Sequence, residues 1–249
     1  MCSNLRFAWP DLVATMPTTF GPSRGAVFGA SGTLSHQVLR GLPVDAFLSA
    51  TIIEPEWRER FGQWKASTGP FGGRIAREPI DYARGSLAVY RTSASDDVLA
   101  SSDRRIAIAN PAVAPYGRAA AEALTRLGVD VRDAARVIHA DSVAGVVRLV
   151  QQGLATAGWI AMSMVKAREN SATPVHGAFA DADHLNVDGI STRGIAPRWT
   201  VVVPDHLHSP IVQQAIYTGA DDVEMASEFN DWISSQRVRK VLLRFGYRF

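Results

Sequence analysis

The segment Ile106-Ala-Ile-Ala-Asn-Pro-Ala-Val-Ala-Pro-Tyr-Gly117, running into Arg118-Ala-Ala-Ala-Glu122, constrains the fold more than any other part of the chain. Its first four residues are small or β-branched and apolar, the pattern of a strand buried on both faces. Asn110-Pro111 stops that strand, and Pro115-Tyr116-Gly117 makes a tight turn. The alanine-rich run from Arg118 to Leu127 has helix-forming composition and ends at Gly128, a good residue just past a helix end. A strand turning straight into a helix leaves the first N–H groups of that helix unpaired and pointing outward. Together with the positive end of the helix dipole they form an anion site that needs no charged side chain.

Two further turns have the same form. Ala26-Val27-Phe28 reads as a strand, followed by Gly29-Ala30-Ser31-Gly32-Thr33 and an amphipathic helix from about Leu34 to Gly41. Val137-Ile138-His139 reads as a strand, followed by Ala140-Asp141-Ser142 and a helix from Val143 to Leu154 with Val146, Val147, Leu149 and Val150 on its apolar face. Ser31 and Ser142 each have a plain alternative role as helix N-caps, the commonest job of serine before a helix. Three such turns at strand carboxyl ends imply convergence on one crevice of a doubly wound α/β protein.

These residues carry a family resemblance. Ile106–Pro111, Ala114-Pro-Tyr-Gly-Arg-Ala-Ala120, Glu122, Leu124 and Leu127-Gly128 resemble the molybdate-binding proteins of bacterial ABC importers. Phe28–Leu34 and Gly41–Ala50 are similar to that family's first-lobe signature, and Asp141–Val143, Gly158–Ser163 and Leu243–Tyr247 fit its later blocks. The resemblance runs in order over nearly the whole chain. It implies a two-lobed periplasmic-binding-protein type II fold, each lobe a doubly wound sheet flanked by helices. Lobe one would be discontinuous, 1–84 plus 199–249, and lobe two would be 85–198. The crossings are expected at Tyr82–Ser86, ahead of the strand Leu87–Tyr90, and around Ile195–Arg198, ahead of Trp199–Val203.

The resemblance also implies a ligand set for molybdate or tungstate. Ser31 would donate through its hydroxyl and its backbone N–H, and Tyr116 and Val143 through backbone N–H groups. Ser3-Asn4 stands where family members carry a serine or a Thr-Asn pair. Where some members place a tyrosine donor on a later strand, this chain has Ala161. Neutral donors suffice because a hydrogen bond to a charged acceptor contributes roughly 1.5–3 kcal/mol. A cage of fixed amides selects by radius, and it rejects protonated phosphate by offering no acceptor for the O–H.

Composition agrees with this class and excludes others. The 249 residues suffice for two ordinary lobes, and 47% hydrophobic with 20% charged residues is normal for a folded globular chain. A formal net charge of +2 argues against nucleic acid as a partner. No apolar run approaches the roughly 20 residues of a membrane span. The single cysteine, Cys2, excludes an internal disulfide and a cysteine-based metal cluster.

Rival motifs are weak. Ser163-Met-Val-Lys166 has the Ser-x-x-Lys spacing of acyl enzymes without their partner motifs, and Gly29–Gly32 falls short of a nucleophile elbow. His206 and His208 could meet a metal from one strand face, but beside Asp205 they fit solvated loop residues. Arg237, Arg239, Lys240 and Arg244 read as the outer face of a C-terminal helix whose inner face is Val238, Val241, Leu242 and Phe245. Gly69–Gly73 lacks the lysine and helix of a P-loop. No catalytic residue, cofactor or metal beyond the bound molybdate or tungstate is expected. The partners implied are the oxyanion and a membrane-bound ABC permease, with a monomeric protein in the periplasm. The alternative is a cytosolic oxyanion sensor or effector-binding module of the same fold, since Met1–Pro10 has no secretion-signal pattern.

One expectation concerns the start of the chain. In the family a strand of roughly 5–6 residues precedes the Ser3-Asn4 turn. Only Met1 and Cys2 precede it here, and Ala8–Val13 already reads as the following helix. The chain is therefore expected to be truncated, lacking a signal peptide and that strand, with Ser3 and Asn4 poorly fixed.

Overall fold

The computed structural model describes residues 1–21, 25–53, 79–91, 104–170, 200–218 and 223–249. Gly69–Gly73 and the expected crossing at Ile195–Arg198 lie outside them. Two sheets organise the described chain. The larger has the order β5-β4-β6-β3-β7: β3 is Leu87–Arg91, β4 Ile106–Ala109, β5 Val137–Ala140, β6 Ala157–Ala161 and β7 Thr200–Val202. β4 runs parallel to both β5 and β6, while β3 is antiparallel to β6 and β7. The smaller has the order β1-β8-β2, all antiparallel, from β1 at Ala46–Ser49, β2 at Ile80–Gly85 and β8 at Ile211–Tyr217.

Two of the three expected βα units, those opening at Ile106 and Val137, form where the sequence places them. All four residues of β4 are fully buried, as an unbroken apolar run requires. The helix after it, α3 (Pro115–Arg126), carries proline at its tolerated first position and ends before Gly128, whose φ of 81° is the left-handed cap that glycine supplies. A Cβ on Gly117 would stand 2.1 Å from the Ala109 carbonyl oxygen, so only glycine lets α3 start directly on the end of β4. The helix after β5, α4 (Val143–Gln151), buries Val146, Val147 and Val150. Burying each such side chain contributes roughly 1.5–3 kcal/mol, enough to dock the helix despite Gly145.

The other α-helices among the described residues are α1 (Trp9–Val13), α2 (Ser31–Leu39), α5 (Met162–Asn170), α6 (Val223–Ile233) and α7 (Gln236–Arg244). α7 buries Val238, Val241 and Leu242, Phe245 is buried beyond its end, and its four cations face outward, as its period dictates. Leu34 and Val38 of α2 pack with Phe47 and Ile216, tying α2 to the smaller sheet.

Three differences from the sequence reading have physical causes. α2 begins at Ser31, three residues before the apolar period starts, its buried first residue followed by Gly32, whose N–H bonds the Val113 carbonyl of the turn after β4. Ala26–Phe28 do not form a strand; they lead to a single parallel bridge between Gly29 and Cys2, because the partner segment is so short. Thr200–Val202 pairs with β3, so the strand expected to open the return to lobe one is an edge strand of the larger sheet. The chain passes between sheets at Ser86 and again between Val203 and Ile211.

Candidate functional site

The three helix starts converge. α3 and α4 begin at the carboxyl ends of neighbouring parallel strands, with Ala109 level with Ala140. α2 meets them from the other sheet, where the Gly32 N–H donates to the Val113 carbonyl at 3.0 Å. The Ser3–Leu5 turn packs against α4 and α5, and the Ser3 N–H donates to the Gly29 carbonyl at 2.9 Å, two residues before Ser31. Ser31, Tyr116 and Val143 stand at the first or second position of their helices, so their N–H groups have no intrahelical acceptor. All three residues are buried, and among the described residues no hydrogen bond engages those three amides. A buried N–H without a partner is rare and costly, so such a trio points to a ligand.

The two serines before helices differ in role. Ser142 caps α4, its hydroxyl accepting from the Gly145 N–H at 3.2 Å. Ser31 caps nothing. Its hydroxyl oxygen accepts from the Ala50 N–H at 2.9 Å, which fixes the oxygen and leaves the O–H free to donate elsewhere. The turn ahead of α3 is set by Asn110, whose side-chain oxygen accepts from the Ala112 N–H at 3.0 Å.

Asn4 is not poorly fixed. Its side chain is 1% exposed, and its Nδ2 lies 2.8 Å from the Tyr247 hydroxyl, 3.0 Å from Gln213 Oε1 and 3.2 Å from the Tyr116 hydroxyl. Its carbonyl accepts from Ser163 Oγ at 2.7 Å and from the Tyr247 hydroxyl at 3.0 Å. The expectation of a loose Ser3 and Asn4 is thereby corrected: ladder bonds from Cys2 N–H to Leu48 and from Gly29 N–H to Met1, with this buried network, hold the segment. Two N–H hydrogens already face three acceptors, so the Asn4 carboxamide donors are committed inside the protein. Among the described residues no hydrogen bond engages the Asn4 backbone N–H or the Ser3 hydroxyl.

The network is strongly desolvated. Burial pushes the Cys2 thiol up to about 11 and raises the Tyr82, Tyr116 and Tyr247 phenols above their ordinary range. The Tyr82 hydroxyl is buried beside the Cys2 thiol and has no other hydrogen-bond partner among the described residues. A Cβ on Gly85 would stand 2.0 Å from the Tyr116 hydroxyl, so glycine at the end of β2 makes room for that phenol. No motif marks Tyr82, Gln213, Ser163 or Tyr247 as a cluster. The one usable signal is Gln213-Gln214, two amides inside the otherwise apolar strand Ile211–Tyr217.

The remaining candidates resolve simply. Ser163 is on α5 and is spent on the Asn4 carbonyl. Ala161 is fully buried in β6, opposite Leu87. His206 lies in a short 3₁₀ turn and not on a strand, while His208 is buried rather than solvated, its Nδ1 2.8 Å from the Ser209 carbonyl. Among the described residues no three His, Cys, Asp or Glu side chains are grouped to hold a metal ion.

Two sheets exchanging the chain twice, with helix N-termini facing one another across the junction, define a solute-binding protein of the type II periplasmic fold. The family model described as bacterial extracellular solute-binding protein matches residues 25–248, and the chain belongs to that family. It is similar to the molybdate-binding protein ModA of Azotobacter vinelandii, 28% identical over 254 aligned residues, covering 99% of this chain and 87% of the relative. It is also similar to ModA of Rhodobacter capsulatus, 26% identical, covering 88% of this chain and 75% of the relative. The solved structure of the Azotobacter vinelandii periplasmic molybdate-binding protein shares the fold, with a TM-score of 0.73 at 23% identity over 100% of this chain and 96% of that one.

Proposed function

We propose that this protein binds molybdate or tungstate in the periplasm and delivers it to an ABC import permease. The observation that supports the reading is the trio of amides at Ser31, Tyr116 and Val143, in buried residues and unengaged among the described residues, with the Ser31 hydroxyl oxygen held by the Ala50 N–H. Three N–H donors and one O–H converge where a doubly charged tetrahedral anion has four oxygens to satisfy. The Asn4 backbone N–H and the Ser3 hydroxyl complete the set on the other side. Every donor is neutral, so charge is stabilised by short-range hydrogen bonds and helix dipoles, which a solute-binding protein needs if it is to release its cargo.

The two lobes of this reading are the sequence's 1–84 plus 199–249 and 85–198, with the second boundary moved behind Thr200–Val202. The strand passages at Ser86 and between Val203 and Ile211 then serve as the hinge, and closure over the anion is the moving step. Calorimetric titration with molybdate, tungstate, sulfate and phosphate tests the proposal. Molybdate and tungstate are expected to bind much more tightly than sulfate, with no added metal or nucleotide. Equal or tighter binding of sulfate, or no heat with any of the four, refutes it.

A further inference from the structure

We propose that Gly32 is a positioning residue that lets the two halves of the oxyanion site latch together; the inference rests on the functional reading above. Gly32 follows Ser31 at the second position of α2, whose apolar face belongs to the smaller sheet. Its N–H is not available to a ligand, because it donates to the Val113 carbonyl at 3.0 Å. Val113 belongs to the turn that follows β4 of the larger sheet, three residues before Tyr116. This one hydrogen bond therefore joins the backbone that carries the Ser31 donors to the backbone that carries the Tyr116 donor.

The contact has no room for a side chain. A Cβ on Gly32 would meet the Val113 oxygen at 2.9 Å and the Val113 Cα at 3.1 Å. Both are backbone atoms of a turn already fixed by Asn110, so they cannot swing aside as a flexible side chain would. Neither helical geometry nor the fold of α2 demands glycine here, since Gly32 is not among the glycines of positive φ. Alanine is the better helix former at such a site. The glycine therefore works against the helix and in favour of the approach of the two sheets. The distance between the Ser31 and Tyr116 donors, which fixes the radius of the anion they hold, depends on that approach.

Gly32→Ala tests this, with the adjacent exposed Thr33→Ala as control. The expected result is an unchanged or raised melting temperature without ligand. Molybdate affinity should fall about tenfold or more, chiefly through faster dissociation, because a crowded backbone contact must open by a few tenths of an ångström. Small-angle scattering with saturating molybdate should give Gly32→Ala a larger radius of gyration than the wild type. Thr33→Ala should match the wild type in all three. Molybdate affinity within twofold of the wild type overturns the latch, and so does a lowered melting temperature without ligand, which marks a merely structural glycine. If the wild type binds none of the four oxyanions, the functional reading fails instead. The latch then stands or falls on the scattering of the two ligand-free proteins, an equal radius overturning it.

Discussion

The two sides of the proposed site are built from different materials. On the larger sheet, Tyr116 and Val143 offer backbone amides alone, at the ends of β4 and β5, where strand pairing and buried valines hold the helix starts. On the smaller-sheet side side chains take part: the Ser31 hydroxyl, held by the Ala50 N–H, would donate beside the Ser31 amide, and the Asn4 carboxamide, committed among Tyr116, Gln213 and Tyr247, fixes the backbone that carries the Asn4 N–H. A site half made of backbone tolerates most substitutions at its own positions, because every residue but proline supplies an N–H. The half made of side chains can be erased by one. Substitutions on the smaller-sheet side should therefore dominate any mutational map of this protein.

The largest expected effect is at Asn4. Asn4→Ala removes a fully buried carboxamide and strands the Gln213 and Tyr116 groups that faced it. A stability loss of about 2–4 kcal/mol is expected, from unsatisfied buried groups plus a cavity. Urea unfolding without ligand measures it. If Asn4 served only as an anion ligand, that curve would not move and molybdate affinity alone would fall.

The same contrast governs what could be read from the sequence. The larger-sheet half is local: Ile106–Gly117 and Val137–Val143 each hold strand, turn and helix start within about a dozen residues, so pattern and turn chemistry suffice. Even there the sheet that Thr200–Val202 joins is not legible, because it pairs with β3 across more than a hundred residues of sequence. The Asn4 network draws on Cys2, Tyr82, Tyr116, Ser163, Gln213 and Tyr247, which no periodicity brings together. A short N-terminal segment reads as a loose end by length alone, and its burial is decided by tertiary partners that lie at the far end of the chain.

Alkaline pH should test the buried half specifically. Well below pH 9 the Cys2 thiol and the three buried phenols are protonated in both folded and unfolded chains, so these four groups add no pH dependence there. Above it the unfolded chain releases the thiol proton near 9.0 while the folded protein keeps it to about 11. The unfolded state then binds fewer protons, so stability falls as pH rises through that window, by roughly 3 kcal/mol for the thiol alone once pH passes 11 and by roughly 2 kcal/mol at pH 10.5, at about 1.4 kcal/mol per unit. The raised phenols of Tyr82, Tyr116 and Tyr247 extend the loss above pH 10. Urea unfolding at pH 7.5 and pH 10.5, for wild type and Cys2→Ser, measures it. An equal loss in both proteins would assign the effect to the phenols and not to the thiol.

The smallest and sharpest comparison uses one substitution at two serines. Ser31→Ala removes an O–H donor from the site and leaves the buried Ala50 N–H without its acceptor. Molybdate affinity should fall by roughly 1–3 kcal/mol, the range for leaving a buried polar group without its partner. Ser142→Ala removes only an N-cap, because that hydroxyl is spent on the Gly145 N–H at 3.2 Å while the neighbouring Val143 amide is untouched. It should cost about 1 kcal/mol of stability and change affinity by less than half of what Ser31→Ala does. Titration and thermal melts of the two variants, side by side, separate the outcomes. Should Ser142→Ala weaken binding as much as Ser31→Ala, the larger-sheet half would also depend on a side chain. The division between a backbone half and a side-chain half would then be wrong.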